Sequence, residues 1–189
     1  MIIVITMTAF IIFIILKMSL VVFDYDDTLF PTTFMQHHQD LKKRDLQELD
    51  RMIVQLMHTI KLAGHKIIII SNGSLNWIRD SSSTFLPNFY KFVQSNNIRV
   101  ISARDIYERS QTPYENWKKF TMIGTCILPE YSAMQGLIGI GDSPIDQLAV
   151  RDAGVVIGKP FQFIKFEPEM SLEALTQTIA QAVGFFRGF

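Results

Sequence analysis

Short apolar runs of strand-forming residues alternate in this chain with longer segments in which apolar residues recur at helical spacing. We predict buried strands at 19–23, 66–70, 98–101, 136–140 and 155–157. Strands of this kind that alternate with helices are typical of a parallel sheet covered on both faces. The sequence therefore predicts an α/β fold with a doubly wound, Rossmann-like parallel sheet and helices on both faces.

The helical segments between these strands have recognisable ends. Apolar residues from Leu46 to Ile60 predict a helix that ends at Gly64. A helix that begins at Leu75 is expected to break near Pro87. Two further amphipathic helices are predicted, each with one apolar face. These faces consist of Trp117, Phe120, Ile123 and Ile127 in the first helix, and of Leu172, Leu175, Ile179 and Val183 in the second.

Polar clusters follow directly after the first, second and fourth predicted strands, at 24–28, 71–72 and 142–146. In open parallel sheets, ligands bind beyond the carboxyl ends of the strands. We therefore expect these three clusters, which lie far apart in the sequence, to meet at one edge of the sheet.

The first cluster places Asp24, Asp26 and Asp27 at the end of a buried strand. Adjacent carboxylates are costly unless a cation neutralises them, and Mg²⁺ prefers carboxylate and carbonyl oxygens. The two-residue spacing lets one carboxylate attack a substrate while the other exchanges a proton. Taken alone, such a cluster is more commonly an acidic turn.

The second cluster begins at Gly141, where the chain can turn sharply at the end of a strand. Ser143 is expected to cap a helix whose first residue is Pro144. Asp142 would then lie at the tip of the strand, with Asp146 in the first helical turn, so that both can face one cation. Asp146 also complements the helix dipole, whatever else it does.

The third cluster is Ser71 and the two residues after it. A hydroxyl and the backbone N–H groups of Asn72 and Gly73 can bind the oxygen atoms of a phosphoryl group. A simple Ser-Asn-Gly turn explains the same residues.

Taken together, these stretches resemble the haloacid dehalogenase (HAD) superfamily. The resemblance rests on DYDDTL at 24–29, Ser71 after the second strand, a lysine further along the chain, and GDSPID at 141–146, in the order that the family requires. It covers roughly residues 19–166 and implies a Mg²⁺-dependent phosphatase that hydrolyses phosphate monoesters.

The resemblance also implies roles for the residues of these motifs. Asp24 would be the nucleophile that forms an aspartyl-phosphate, and Asp26 would protonate the leaving group and then activate water. Ser71 would hold a phosphoryl oxygen. Asp142 would bind Mg²⁺ together with Asp24 and the backbone carbonyl of Asp26. Asp146 would support the metal or orient the lysine.

Two further predictions concern the substrate contacts and the lysine of this site. Thr28, Asn72 and Gly73 are expected to contact the substrate. Lys118 and Lys119 are adjacent on a predicted helix and point about 100° apart, so only one of them can serve the site. We favour Lys118 because it directly follows Trp117, which we expect to anchor the helix in the core.

A second carboxylate at the Asp26 position favours a phosphatase over a dehalogenase. The alkoxide released from a phosphate ester needs a proton, whereas a released halide does not. Two alternatives stay open: a phosphotransferase on the same scaffold, and a non-catalytic, membrane-tethered interaction module. The second alternative is disfavoured because every carboxylate of the motifs is present.

The segments that flank Ser71 are too short for a separate cap domain once their predicted helices and strand are subtracted, which leaves at most a short flap near 30–40. By analogy, a capless site suits a phosphorylated substrate as bulky as a phosphoprotein or a nucleic-acid end. The 18 basic and 18 acidic residues argue against general nucleic-acid binding. His37 and His38 are expected to be exposed residues of the flap.

The first 17 residues stand apart from the predicted domain at 18–189. Residues 1–16 are uncharged and mostly apolar, and as a helix they would span about 24 Å, short of the ~30 Å hydrocarbon core of a membrane. They fit a membrane anchor with Lys17 on the cytoplasmic side, an extra packed segment, or an upstream extension of a protein that starts at Met18. Cys126, the only cysteine, is expected to be a buried thiol in a cytoplasmic protein.

Overall fold

The structure is a computed structural model, and it describes residues 18–38 and 40–187. Five strands form one sheet in the order β3-β2-β1-β4-β5, and every pairing is parallel. The strands are β1 (Ser19–Phe23), β2 (Lys66–Ser71), β3 (Arg99–Ser102), β4 (Gly136–Gly141) and β5 (Phe161–Lys165). The predicted α/β fold with a doubly wound parallel sheet is confirmed.

Helices connect the strands within the described residues. Between β1 and β3 lie α1 (Thr32–His37), α2 (Gln47–Leu62), α3 (Leu75–Phe85) and α4 (Pro87–Ser95). After β3 come α5 (Ala103–Tyr107), a 3₁₀ turn (Tyr114–Asn116), α6 (Trp117–Cys126), α7 (Pro129–Ser132), α8 (Pro144–Ile157) and α9 (Leu172–Arg187). The predicted end of α2 is confirmed, since Gly64 adopts a left-handed φ of 84° just beyond it. The predicted break before Pro87 is confirmed as well.

Hydrophobic cores cover both faces of the sheet, because alternate residues of each strand point to opposite sides. On one face, Val21 and Phe23 of β1 pack in a core with buried residues of α2, α4 and α9. On the other face, Leu20 and Val22 pack with buried residues of α6 and α8. With both faces covered, a ligand has access to the sheet at the ends of its strands.

The prediction of a strand at 155–157 is wrong. These residues form the last turn of α8, which ends at Gly158 with a φ of 66°. Val155 and Val156 are 68% and 63% exposed, so their β-branched side chains belong to the solvent-facing side of a helix. The fifth strand is β5, an edge strand whose FQFIK sequence mixes apolar and polar residues.

The predicted apolar face of α6 is also wrong. Phe120 and Ile127 are 42% and 65% exposed, and Trp117 is only half-buried. The buried face consists instead of Lys118, Thr121, Met122, Thr125 and Cys126. The helix is turned this way because Lys118 pairs with buried carboxylates at the sheet edge.

The prediction that Cys126 is a buried thiol is confirmed. Burial raises the pKa of this thiol to about 11, as expected for an unreactive cysteine.

Residues 1–17 lie outside the described residues, so the three interpretations of this segment stay predictions. Within residues 18–38 and 40–187, no helix is both long and apolar enough to cross a membrane.

Candidate active site

The three polar clusters meet at the carboxyl edge of the sheet, as their places after β1, β2 and β4 require. Asp24 directly follows β1, and its backbone N–H donates to the carbonyl of Ile140 in β4 (2.9 Å). The loop after Asp24 then turns tightly, because the carbonyl of Tyr25 accepts from the N–H groups of Leu29 and Phe30, both at 2.9 Å. This turn holds the carboxylates of the loop at the sheet edge.

Asp24, Asp142 and Asp146 form a compact acidic group, in which one carboxylate oxygen from each residue lies within 4.8 Å of the other two. Asp24 and Asp146 are buried, and Asp142 is half-buried. The side chain of Asp26 is not part of this group. Three carboxylates this close repel one another unless a cation lies between or beside them.

Lys118 supplies one positive charge to this group. Its Nζ lies 2.5 Å from Asp24 Oδ1 and also forms an ion pair with Asp146 Oδ1, and all three side chains are buried. Lys119 lies elsewhere, with its Nζ 3.9 Å from Asp152. The structure therefore places Lys118, and not Lys119, among the motif carboxylates.

Asp146 is fixed by the start of α8. Its Oδ2 accepts from the backbone N–H (3.0 Å) and the hydroxyl (2.5 Å) of Ser143, while the Ser143 hydroxyl caps the backbone N–H of Asp146. The predicted N-cap at Ser143 and first helical residue at Pro144 are confirmed. Gly141 is needed here because a Cβ at that position would lie 2.7 Å from the Asp146 side chain.

The charged side chains in this group shift one another's pKa values. Burial raises the pKa of Asp24 well above its ordinary value; Lys118 opposes this shift, and Asp146 adds to it. Burial alone would lower the pKa of Lys118, but Asp24 and Asp146 outweigh it and raise that pKa. Burial and the nearby Asp146 also raise the pKa of Asp142. One lysine does not balance three carboxylates, so the group favours a further cation.

Asp24 Oδ1 is buried, and the Lys118 ammonium 2.5 Å away is its charged partner. The negative charge that Lys118 leaves unbalanced, together with the ligand atoms, determines which cation would fit. The donor set consists of oxygen atoms alone, which suits a hard divalent cation such as Mg²⁺.

The Asp26 carboxylate is held by hydrogen bonds from α1, β2 and α3. Its Oδ1 accepts from the hydroxyl of Thr32 (2.6 Å) and from the indole N–H of Trp77 (2.8 Å). Its Oδ2 accepts from the hydroxyl of Ser71 (3.1 Å), which itself accepts from the N–H of Gly73 (2.8 Å). The first and third clusters are thus joined side chain to side chain.

The predicted substrate contacts lie in different surroundings. Thr28 is fully buried, and its hydroxyl donates to Asp142 Oδ1 (3.3 Å), so it holds that carboxylate in place. Asn72 and Gly73 line an open cavity of about 470 Å³ above the carboxylates. Asp24, Asp26, Asp142 and Lys118 also line this cavity.

Several cavity residues were not anticipated from the sequence, among them Gln36, Trp77, Arg104 and Tyr114. Arg104 lies two residues beyond the end of β3, and its Nε donates to the backbone carbonyl of Asn72 (3.0 Å). Its position just past a strand end is the same signal that identified the other clusters. Trp77 lies in the first turn of α3, where its backbone N–H is capped by Ser74 (3.2 Å).

No protein-family model and no curated protein matches the chain. Two solved structures are similar: the HAD domain of the effector protein Lem4 from Legionella pneumophila, and an inactive mutant of it. They are 16% and 15% identical, cover 89% and 90% of this chain and 97% of their own, and both have a TM-score of 0.45. At this level of likeness, what the chain does is inferred from its own site.

Proposed function

We propose that this chain is a Mg²⁺-dependent phosphatase of the HAD type, which hydrolyses phosphate monoesters through an aspartyl-phosphate on Asp24. The observation that carries the proposal is the group of three carboxylates at the carboxyl edge of the sheet, with Lys118 as the positive charge beside them. This group lies at the floor of a cavity of about 470 Å³, large enough for a phosphoryl group and part of its ester.

Asp24 and Asp142, with the backbone carbonyl of Asp26, would hold the Mg²⁺, and Asp146 would support it. Zinc would instead favour histidine or cysteine ligands, and neither belongs to this group. When bound, the ion neutralises the negative charge of the phosphoryl oxygens and of the carboxylates around them.

The chain's own residues would carry the reaction in two displacements. In the first, an oxygen of Asp24 forms a bond to phosphorus while the bond to the ester oxygen breaks, and Asp26 gives its proton to that oxygen. In the second, Asp26 takes a proton from water as the water oxygen bonds to phosphorus and the bond to Asp24 breaks. Inorganic phosphate leaves, and both carboxyl groups return to their starting states.

Lys118 and Ser71 would assist without changing covalently. Catalysis of phosphoryl transfer depends mostly on position and on stabilisation of spread negative charge. Lys118 supplies a fixed positive charge at Asp24, and it is itself held by Asp146. Ser71 donates to Asp26 and accepts from the N–H of Gly73, so it would bind one phosphoryl oxygen, together with the N–H groups of Asn72 and Gly73, by exchanging these hydrogen bonds for the substrate.

We further propose a capless site with a phosphorylated substrate as large as a phosphoprotein, in the cytoplasm. Among the described residues, α1 is the helix that lies between the Asp24 loop and α2. It is six residues long and contributes Thr32 and Gln36 to the cavity, so it narrows one side of the entrance. His37 and His38 are exposed, and neither lines the cavity.

The test is turnover of an aryl phosphate by the full chain with Mg²⁺, compared with the Asp24→Asn variant. Asparagine keeps the volume of the side chain but removes the nucleophilic charge, so the variant is expected to stay folded and to lose turnover. Variant activity within tenfold of the parent would contradict the role of Asp24. Product analysis with added alcohols separates the alternatives, because a phosphotransferase forms a new phosphate ester where a phosphatase releases inorganic phosphate.

A further inference from the structure

The two oxygens of the Asp26 carboxylate are held very differently. Oδ1 accepts two short hydrogen bonds, from the Thr32 hydroxyl (2.6 Å) and from the Trp77 indole N–H (2.8 Å). Oδ2 accepts one longer hydrogen bond, from Ser71 (3.1 Å). The carboxylate is therefore anchored through Oδ1, and Oδ2 is the less occupied oxygen.

We propose that Trp77 and Thr32 are positioning residues that hold Asp26 so that Oδ2 exchanges the proton with the leaving group. This inference rests on the proposed phosphatase function. An oxygen that already accepts two hydrogen bonds cannot carry a transferable proton without breaking one of them. Oδ2 can carry the proton, since its partner is a hydroxyl that rotates.

The surroundings of Oδ2 are kept clear. A Cβ on Gly73 would lie 2.8 Å from Asp26 Oδ2 and 3.0 Å from the ring of Trp77. Any side chain at this position would press on the oxygen that we assign to proton transfer. Gly73 thus leaves room for a leaving group to approach Asp26 from the cavity.

The two donors are on secondary structure rather than on free loops. Thr32 is the first residue of α1. Trp77 lies in the first turn of α3, and its ring meets Phe30 edge to face at a centroid separation of 5.8 Å. Since groups placed on rigid elements hold a geometry more closely than loop residues do, these donors suit a role in orientation.

In the first displacement, the O–H bond at Asp26 Oδ2 breaks while its proton forms a new bond to the departing ester oxygen. The electron pair of the broken bond stays on the carboxylate. The hydrogen bonds from Trp77 and Thr32 to Oδ1 persist through this change. They also stabilise the carboxylate that results, ready to accept a proton from water in the second displacement.

The Trp77→Phe variant tests the proposal, because it removes the indole N–H and keeps an aromatic ring. A general acid contributes about 10²- to 10⁴-fold and matters most for poor leaving groups. We expect kcat/KM, which reports the first displacement and not the later attack of water, to fall by about tenfold for an alkyl phosphate. For p-nitrophenyl phosphate, whose leaving group needs no proton, kcat/KM should change less than about twofold.

Trp117→Phe is the matched control. The Trp117 indole N–H also makes a 2.8 Å hydrogen bond, but to the backbone carbonyl of Thr112, and this residue does not line the cavity. Its ratio of alkyl to nitrophenyl turnover should equal that of the parent. Thr32→Val is a second test variant and should shift the ratio in the same direction as Trp77→Phe.

A measurement without turnover keeps this inference separable from the proposed function. The chain has two tryptophans, so its ¹H–¹⁵N spectrum has two indole signals, and the Trp117→Phe spectrum identifies that of Trp77. Asp26→Asn should move the Trp77 signal and leave the other in place. A parent without phosphatase activity refutes the proposed function, whereas an unmoved signal refutes the contact.

The kinetic measurements also test whether Trp77 and Thr32 position Asp26. Selective loss on the alkyl phosphate in both Trp77→Phe and Thr32→Val supports the proposal. Equal loss of kcat/KM on both substrates means that Trp77 has a merely structural role, and no loss means that Asp26 needs no anchor. Either result overturns the proposal.

Discussion

Replacement of Lys118 by methionine should destabilise this protein far more than the same change at Lys119. Lys118 is buried between Asp24 and Asp146, and methionine would fill its space without its charge. Removal of one partner from a buried ion pair typically costs about 3–5 kcal/mol, because the other partner stays buried and charged. Lys119 is partly exposed at 3.9 Å from Asp152, and such pairs contribute about 0–1 kcal/mol.

The loss of stability in the Lys118→Met variant should depend on pH in a distinctive way. Burial already raises the pKa of Asp24, and without Lys118 nothing would oppose that shift. A carboxyl whose pKa is higher in the folded state than in the unfolded state destabilises the fold as pH rises through that range. The Lys118→Met variant should therefore regain stability as pH is lowered from 7 toward 4, a range in which acid usually weakens proteins.

Urea unfolding with EDTA at pH 7 and pH 5 measures both effects, and turnover of an aryl phosphate measures the catalytic one. We expect Lys118→Met to lose turnover by orders of magnitude and Lys119→Met to lose little. Added Mg²⁺ should return part of the stability to the Lys118 variant, because a cation would again offset the carboxylates. Equal unfolding midpoints for the two variants would refute the reasoning.

Three other predictions concern the metal, a buried histidine and the first 17 residues. Turnover should vanish in excess EDTA, and Asp142→Ala should raise the Mg²⁺ concentration for half-maximal activity by roughly tenfold or more; full activity after chelation and dialysis would contradict this. Burial lowers the pKa of His65, whose Nδ1 accepts from the backbone N–H of Ser19 (3.1 Å), so its ring must stay neutral in the fold. As pH falls below the unfolded value of about 6.5, the unfolded chain gains this proton before the folded chain does, so stability should fall, and urea midpoints of His65→Asn should fall less steeply. Finally, a chain that starts at Met18 should keep the kcat of the full chain, because β1 is entered from the edge of the sheet opposite the carboxylates; a folded, Mg²⁺-binding protein without turnover would show otherwise.

The sequence was most informative where one local rule decides the structure. Continuous apolar runs such as 67–70 belong to central strands, which are buried on both faces and therefore have no alternation to misread. Polar residues that follow such runs lie at the carboxyl edge by topology alone. The capping pattern from Ser143 to Asp146 is equally local, and the structure contains it as predicted.

The errors arose where distant contacts override local preference. The β-branched residues at 155–157 favour a strand in isolation, but the helix that starts at Pro144 continues through them to Gly158. The orientation of α6 depends on Lys118 reaching Asp24 across the fold, which no periodicity in the helix reveals. The contact of Trp77 with Asp26 joins residues 51 positions apart, so no local pattern in the sequence could predict it either.

The polar inner face of α6 has a consequence for protein engineering. Thr125 satisfies its hydroxyl within the helix by donating to the carbonyl of Thr121 (2.7 Å), whereas the buried Thr121 hydroxyl lacks a hydrogen bond within the described residues. Valine at either position would remove a polar atom from the interior while keeping the shape, a substitution that suits thermostabilisation. Lys118 on the same face offers no such freedom, because an apolar residue there would leave Asp24 and Asp146 buried without their positive partner and would lower both stability and turnover.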